Sequence, residues 1–149
     1  MLEVGNPGGL KEVEERTQFS MWAMMASPLF LGNDVFKMAP YAKNIVMNRE
    51  VIAIDQDPLG MQGDVVKEYE QGNLQVWVKQ LQNGSKAVAL LNKDASTRLI
   101  NADWSDLGIS GKWLVRDLWA HEDKGVFSSR YACEVPSHGT AVLKMSPVK

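Results

Sequence analysis

The sequence predicts an α+β chain in two parts, a βαβα segment over residues 1–57 and an antiparallel β-sandwich over residues 61–149, with residues 58–60 as the linker. Three observations predict it. Helical apolar spacing and a glutamate-rich first turn lie only in the first part. Past Gly60 the period of the apolar residues changes from 3.6 to 2. Between the two stands Ala53-Ile54-Asp55-Gln56-Asp57-Pro58-Leu59-Gly60, where Pro58 pushes Asp57 out of the helical region and Gly60 permits backbone angles that other residues resist.

Met1 to Asn6 is a short strand-like run that ends in the turn cluster Asn6-Pro7-Gly8-Gly9. A strand at residue 1 lacks a neighbour on one side, so the chain is expected to be a piece of a larger fold. Lys11 to Ala26 is a helix. Glu12, Glu14 and Glu15 sit where the positive end of the helix dipole favours them. No Ser, Thr, Asp or Asn stands before it to cap it. From Phe19 onward almost no polar face is left, so this half must be buried on most sides. Five of the eight methionines fall between Met21 and Met47, as flexible core filler. Pro28 to Asp34 is an apolar run closed by turn residues, which suits a strand covered on both faces. Strand, helix and strand make a βαβ unit with a right-handed crossover. A second helix begins at Pro40 and packs Ile45, Val46 and Met47 inward. Glu50 to Ile54 continues as a helical or extended piece.

In the second part Leu74, Val76 and Val78 alternate with Gln75, Trp77 and Lys79, the pattern of a half-buried strand. Asn83-Gly84 is a hairpin turn, and Lys86 to Leu91 is the returning strand. Further strands are expected at Arg98–Trp104, Trp113–Trp119, Arg130–Val135 and Thr140–Met145. Turn-rich separators stand between them, among them Glu122-Asp123-Lys124-Gly125. Short strands at this spacing suit an antiparallel Greek-key sandwich.

The net charge is −2, split as 5 basic and 8 acidic residues up to Gly60 and 11 and 10 beyond it. Nothing in this balance attracts nucleic acid or an anionic membrane. The single cysteine, Cys133, excludes an internal disulfide. Phe19 to Leu31 is too short to span a bilayer. Met1 to Gly5 lacks the basic start and apolar core of a signal peptide, and the compartment stays open. No cofactor or metal is expected. Asp55-x-Asp57 with Gly60 is not a calcium loop, because Leu59 and Val66 stand where ligands belong; these carboxylates are expected to cap turns. Asn33-Asp34 closes an apolar run at the end that faces the ligand crevice in parallel sheets. Its expected role is local hydrogen bonding, with a sugar contact as the alternative. Trp77, Trp104, Trp113 and Trp119 crowd the β half and are expected in the core or at a domain interface, although such rings also stack on sugars. His121 and His138 are read as solvated turn residues. No catalytic residue is assigned.

Four blocks carry a family resemblance: Met1-Leu2-Glu3-Val4-Gly5-Asn6, Phe19-Ser20-Met21-Trp22-Ala23, Pro28-Leu29-Phe30-Leu31-Gly32-Asn33-Asp34 and Glu50-Val51-Ile52-Ala53-Ile54-Asp55-Gln56-Asp57-Pro58-Leu59-Gly60. Ala89-Leu90-Leu91-Asn92 and Arg116-Asp117-Leu118-Trp119 continue it. In order and spacing these resemble the α-galactosidases of glycoside hydrolase family 27, also called melibiases. The resemblance implies that residues 1–57 are the last βα units of a (β/α)₈ barrel, a fold that takes about 250 residues by itself. Residues 61–149 are then the C-terminal β-sandwich. It also implies a retaining hydrolase that releases terminal α-galactose with two aspartates, both on earlier barrel strands. No residue here matches either, so the chain alone is expected to be inactive. Met1 carries over as a wall of the galactose pocket. Lys11 and Ala39 depart from the family, standing where Ser or Thr commonly caps a helix. Family members are commonly secreted, periplasmic or lysosomal. The expected partner is an α-galactoside, bound through the complete enzyme, with self-association through exposed barrel edges. A stand-alone carbohydrate-binding or interaction module is the alternative function. Residues 1–57 are expected to pack only partly on the sandwich and to be the less stable region.

Overall fold

A computed structural model describes residues 1–149. Its elements are α1 (Glu12–Met24), α2 (Pro40–Val46), α3 (Arg49–Asp55), β1 (Asp64–Tyr69), β2 (Leu74–Gln80), β3 (Lys86–Asn92), β4 (Arg98–Asp103), α4 (Trp104–Leu107), β5 (Trp113–Asp117), β6 (Glu122–Phe127), β7 (Arg130–Val135) and β8 (Thr140–Pro147). They form three layers. A six-stranded antiparallel sheet in the order β1-β2-β3-β8-β5-β6 lies in the middle. The pair β4-β7 with α4 covers one face, and α1 to α3 cover the other.

Strand alternation divides the side chains of the central sheet between two cores. On β3, Val88 and Leu90 point to the β4-β7 side, and Ala87, Ala89 and Leu91 point to the helices. That is why Lys86–Asn92 reads as a nearly continuous apolar run although its pairing is antiparallel. The two alanines let α1 approach closely, with Phe19 and Ala23 packed in the same core. On β2, Leu74, Val76 and Val78 fill the sandwich core, while Trp77 joins the helix-side core and Lys79 bonds to α1.

The helix of residues 11–26 is present as α1, shorter at its end, and from Phe19 on only the buried Ser20 interrupts its apolar side chains. The chain leaves it through Ala26 at φ 51, a left-handed conformation that usually selects glycine. Neither Lys11 nor Ala39 caps its helix by side chain; at α1 the Glu14 carboxylate accepts from the Lys11 N–H instead, at 2.8 Å. Glu50–Ile54 lies in α3, which Asn48 caps by accepting from the Glu50 and Val51 N–H groups at 3.1 and 3.2 Å.

Five expectations need correction. Pro28–Asp34 is not a full strand covered on both faces: it makes one parallel bridge, Leu2 to Leu31, and Phe30 is 68% exposed. Its two hydrogen bonds, Leu2 N–H to Phe30 O and Gly32 N–H to Leu2 O, are all that pairs it. Met47 points out rather than in, because α2 ends at Val46. Trp104 opens α4 instead of closing β4. Strand β5 ends at Asp117, whose carboxylate turns the chain by accepting from the Trp119 and Ala120 N–H groups. Glu122–Gly125 is not a separator but the start of β6, an edge strand whose charges face water. No helix is long and apolar enough to cross a membrane.

Candidate functional site

The Leu2–Leu31 bridge places the segments around Met1 and Asn33 side by side, with α1 connecting them. Leu2 is buried and Leu31 packs beside it against the helix-side core. By alternation Met1 and Phe30 then share the opposite face, away from α1. Met1 is 77% exposed there, and its side chain lies over Gly32, where an added Cβ would sit 3.2 Å from Leu2 O.

The loops beyond the bridge converge. Gly5 has φ +82, and a Cβ on it would meet Asn33 Nδ2 at 2.9 Å. Its N–H donates to the buried Glu15 Oε1 at 2.8 Å. Both side-chain polar atoms of Asn33 are shielded from water and have no partner within the chain. Asp34 makes the local contact expected of it, accepting from Phe36 N–H at 3.0 Å.

Where helices meet sheet, a groove of about 240 Å³ is lined by Glu50, Asp57, Leu81, Arg116 and Lys144 among others. Its two carboxylates are both engaged. Arg116 donates to Glu50 through Nε at 2.7 Å and Nη2 at 2.9 Å. These hydrogen bonds hold the Glu50 pKa at about 2 against the opposing effect of burial, with the bond from His121 helping. A carboxyl held there carries no proton to give at neutral pH. Asp57 accepts from Leu59 N–H and Gln82 N–H at 3.1 and 3.0 Å, the turn-capping role expected of it.

Asp55 does not cap a turn. It is buried, its Oδ1 has no partner, and burial raises its pKa. Lys79 Nζ, also fully buried, donates to Ala23 O at 2.9 Å, and burial lowers its pKa. His138 stands in a turn as expected, but His121 does more than meet solvent, because its Nδ1 lies 2.8 Å from Glu50 Oε1. Nothing in the sequence pairs Glu50 with Arg116 and His121 or marks Lys79 as buried; Lys79 occupies a polar position of an ordinary alternating strand.

The tryptophans form no exposed platform. Trp104 and Trp113 are buried in the sandwich core. Trp77 and Trp119 pack against the helix-side core. Trp119 donates Nε1–H to Ser20 Oγ at 2.9 Å, meets Phe19 edge-on and carries the Arg16 guanidinium 5.1 Å from its ring centre.

A family profile described as the α-galactosidase C-terminal β-sandwich domain matches residues 71–145, and one described as α-galactosidase A matches residues 1–57. The α-galactosidase of Oryza sativa subsp. japonica is 42% identical over 99% of this chain and 35% of its own length. That of Coffea arabica is 41% identical over 99% of this chain and 39% of its own length. The chain thus spans 35–39% of the length of these two relatives. The crystal structure of α-galactosidase I from Mortierella vinacea superimposes with a TM-score of 0.93 at 37% identity, covering 99% of this chain and 38% of that one.

Proposed function

Since this chain belongs to the α-galactosidases of glycoside hydrolase family 27, we propose that residues 1–57 are the closing end of a (β/α)₈ barrel, residues 58–60 a linker and residues 61–149 the sandwich on which the barrel rests. The observation that carries this reading is the parallel Leu2–Leu31 bridge with α1 as its crossover, a βαβ unit packed on an all-antiparallel sheet.

The whole enzyme releases terminal α-galactose with retention. One carboxylate attacks the anomeric carbon while a carboxylic acid protonates the leaving oxygen. Water then hydrolyses the glycosyl-enzyme, with the second group now acting as base. Two carboxyl groups about 5–5.5 Å apart are needed. The carboxylates in these 149 residues match neither, and the two in the groove are engaged elsewhere. Residues 1–149 therefore contribute scaffold and one rim of the sugar pocket, with Met1 as a wall. They supply no general acid or nucleophile.

The test is hydrolysis of an aryl α-galactoside by the purified chain. No release above the buffer rate is expected. Turnover that disappears on Asp34→Asn or Glu50→Gln would overturn the reading, because a carboxylate of this chain would then be catalytic.

A further inference from the structure

The loop from Leu81 to Ser85 joins β2 to β3. It carries Asn83-Gly84-Ser85, an asparagine with a hydroxyl residue two positions on and no proline between. None of the other seven asparagines has a Ser or Thr at that place. The spacing is the acceptor signal for N-linked saccharide transfer, and it works on an exposed loop. Gln82, Asn83 and Gly84 are all exposed, and a Cβ added at Gly84 would meet nothing within 4 Å. Asn83 Oδ1 accepts from the Ser85 N–H at 3.1 Å and from the Ser85 hydroxyl. A backbone N–H only donates, so the atom facing Ser85 is the oxygen and the amide nitrogen lies on the far side of Cγ. Asn83 Nδ2 therefore points away from the turn that its own oxygen holds.

We propose that Asn83 is an acceptor site for an N-linked glycan, which commits the chain to a compartment that holds a lipid-linked saccharide donor. The inference stands apart from the barrel reading above. The turn by itself does not require this triplet. An aspartate would bend the loop as well, but it offers no nitrogen to a saccharide. In the transfer, Asn83 Nδ2 bonds to the anomeric carbon of a saccharide carried on a lipid diphosphate. The bond from that carbon to the diphosphate oxygen breaks, and the lipid diphosphate leaves with the electron pair. Nδ2 gives up one proton to a base of the transferase, and nothing is oxidised or reduced. Attachment at Nδ2 leaves Oδ1 and its two bonds from Ser85 in place, so the modified loop keeps its turn. The position also matters for what surrounds it. Asn83 lines the groove of Glu50, Leu81 and Lys144. Gln82 N–H and Leu59 N–H both bond to Asp57 Oδ1, at 3.0 and 3.1 Å, so the loop lies against the junction of the two parts of the chain. A glycan on Asn83 stands at the mouth of the groove and shields that junction.

The experiment translates the full chain behind a cleavable leader in the presence of microsomes that hold a lipid-linked oligosaccharide. Added protease removes chains that have not entered, so only imported chains are scored. Most of these should run as one heavier band, which peptide N-glycanase returns to the unmodified mobility. Asn83→Asp keeps the oxygen that turns the loop and removes the acceptor nitrogen, and it should abolish the heavier band. Ser85→Ala keeps the acceptor nitrogen and the backbone N–H that bonds to Oδ1, and it should abolish the band as well. Imported wild-type chain without a heavier band would overturn the inference. A heavier band that persists in Asn83→Asp would place the modification on another residue and equally overturn it. Persistence in Ser85→Ala would show that the triplet is not what the transferase reads.

Discussion

The core between the central sheet and β4-β7 gathers 15 buried residues from Leu74 to Met145, so it is closed by one continuous stretch of chain. The core under the helices gathers 17, but from Leu2 to Val142. Eleven of these, up to Ile54, come from the helical segment; four come from the strands of the sheet, and Leu81 and Leu118 from the turns that leave it. The sandwich core draws only on residues from Leu74 onward, whereas the core under the helices draws on both parts of the chain. One face of the same six strands serves each purpose. Stability should accordingly be lost from the helical side first.

Two truncations test this most strongly. Leu90→Ala empties part of the sandwich core and should cost about 2–5 kcal/mol, unfolding both layers together in a urea titration followed by tryptophan fluorescence. Phe19→Ala should cost about 3–5 kcal/mol, but only of the docking of α1. Amide exchange should then accelerate in α1 and in Leu29–Leu31 while Leu74–Val78 stays protected. Equal loss of protection in both places would make the two cores one cooperative unit.

A smaller effect comes from the buried lysine that joins the layers. Burial lowers the Lys79 pKa below 10.5, with Asp55 and Asp57 opposing. Between the lowered value and 10.5 the unfolded chain binds more protons than the folded one, so stability rises with pH across that window. Lys79→Met should abolish this rise, seen as the difference in urea midpoint between about pH 8 and pH 10. At neutral pH it leaves Ala23 O unpaired, which costs about 1–3 kcal/mol, and removes a buried charge, which offsets part of that cost. An unchanged alkaline slope in Lys79→Met would show that the helices are not docked over this side chain.

Smaller again is the clasp between α3 and β5. Glu50 has its pKa lowered from 4.5 to about 2 chiefly by the Arg116 hydrogen bonds. A depressed carboxyl stabilises the fold above its unfolded value, and that stability is lost as pH falls from about 4.5 to about 2. Glu50→Gln should lower Tm by roughly 2–4 °C at neutral pH, as expected for a partly exposed pair in a chain of this size. The difference from wild type should close across the same acid window. A difference constant from pH 6 to pH 2 would assign the Glu50 effect to packing rather than to charge.

How far the sequence discloses this arrangement depends on the faces each strand shows. Strands with one or two buried faces are plain: β2 by alternation, β3 as an apolar run after Asn83-Gly84, and β7 over Arg130–Val135. The strands that are hard to see are β1 and β6, the two edges of the central sheet. Both are mostly exposed, and their Asp, Lys and Glu side chains blunt the edge against further pairing, which also erases the alternation. The candidate site is legible only where short motifs mark it, at Met1–Asn6 and Pro28–Asp34. The Arg116–Glu50 pair is 66 residues apart in sequence, and neither residue is unusual in its own segment.

The finest probe of the comparison is Cys133. It sits on β7 opposite Ile100, partly buried at the margin of the sandwich core. Burial, with Asp117 adding and Lys124 opposing, pushes its thiol up from 9.0 to about 11. The raised pKa and partial burial leave little reactive thiolate in the folded state, so an aromatic disulfide reagent should label the protein far more slowly than a free thiol, and chiefly when the sandwich opens. Labelling then reports openings of the sandwich and not of the helical layer. Leu90→Ala should speed it in proportion to the lost stability, and Phe19→Ala should leave it unchanged. If Phe19→Ala speeds labelling as much as Leu90→Ala does, the sandwich cannot stand without its helices, and the order in which the two layers fail must be reversed.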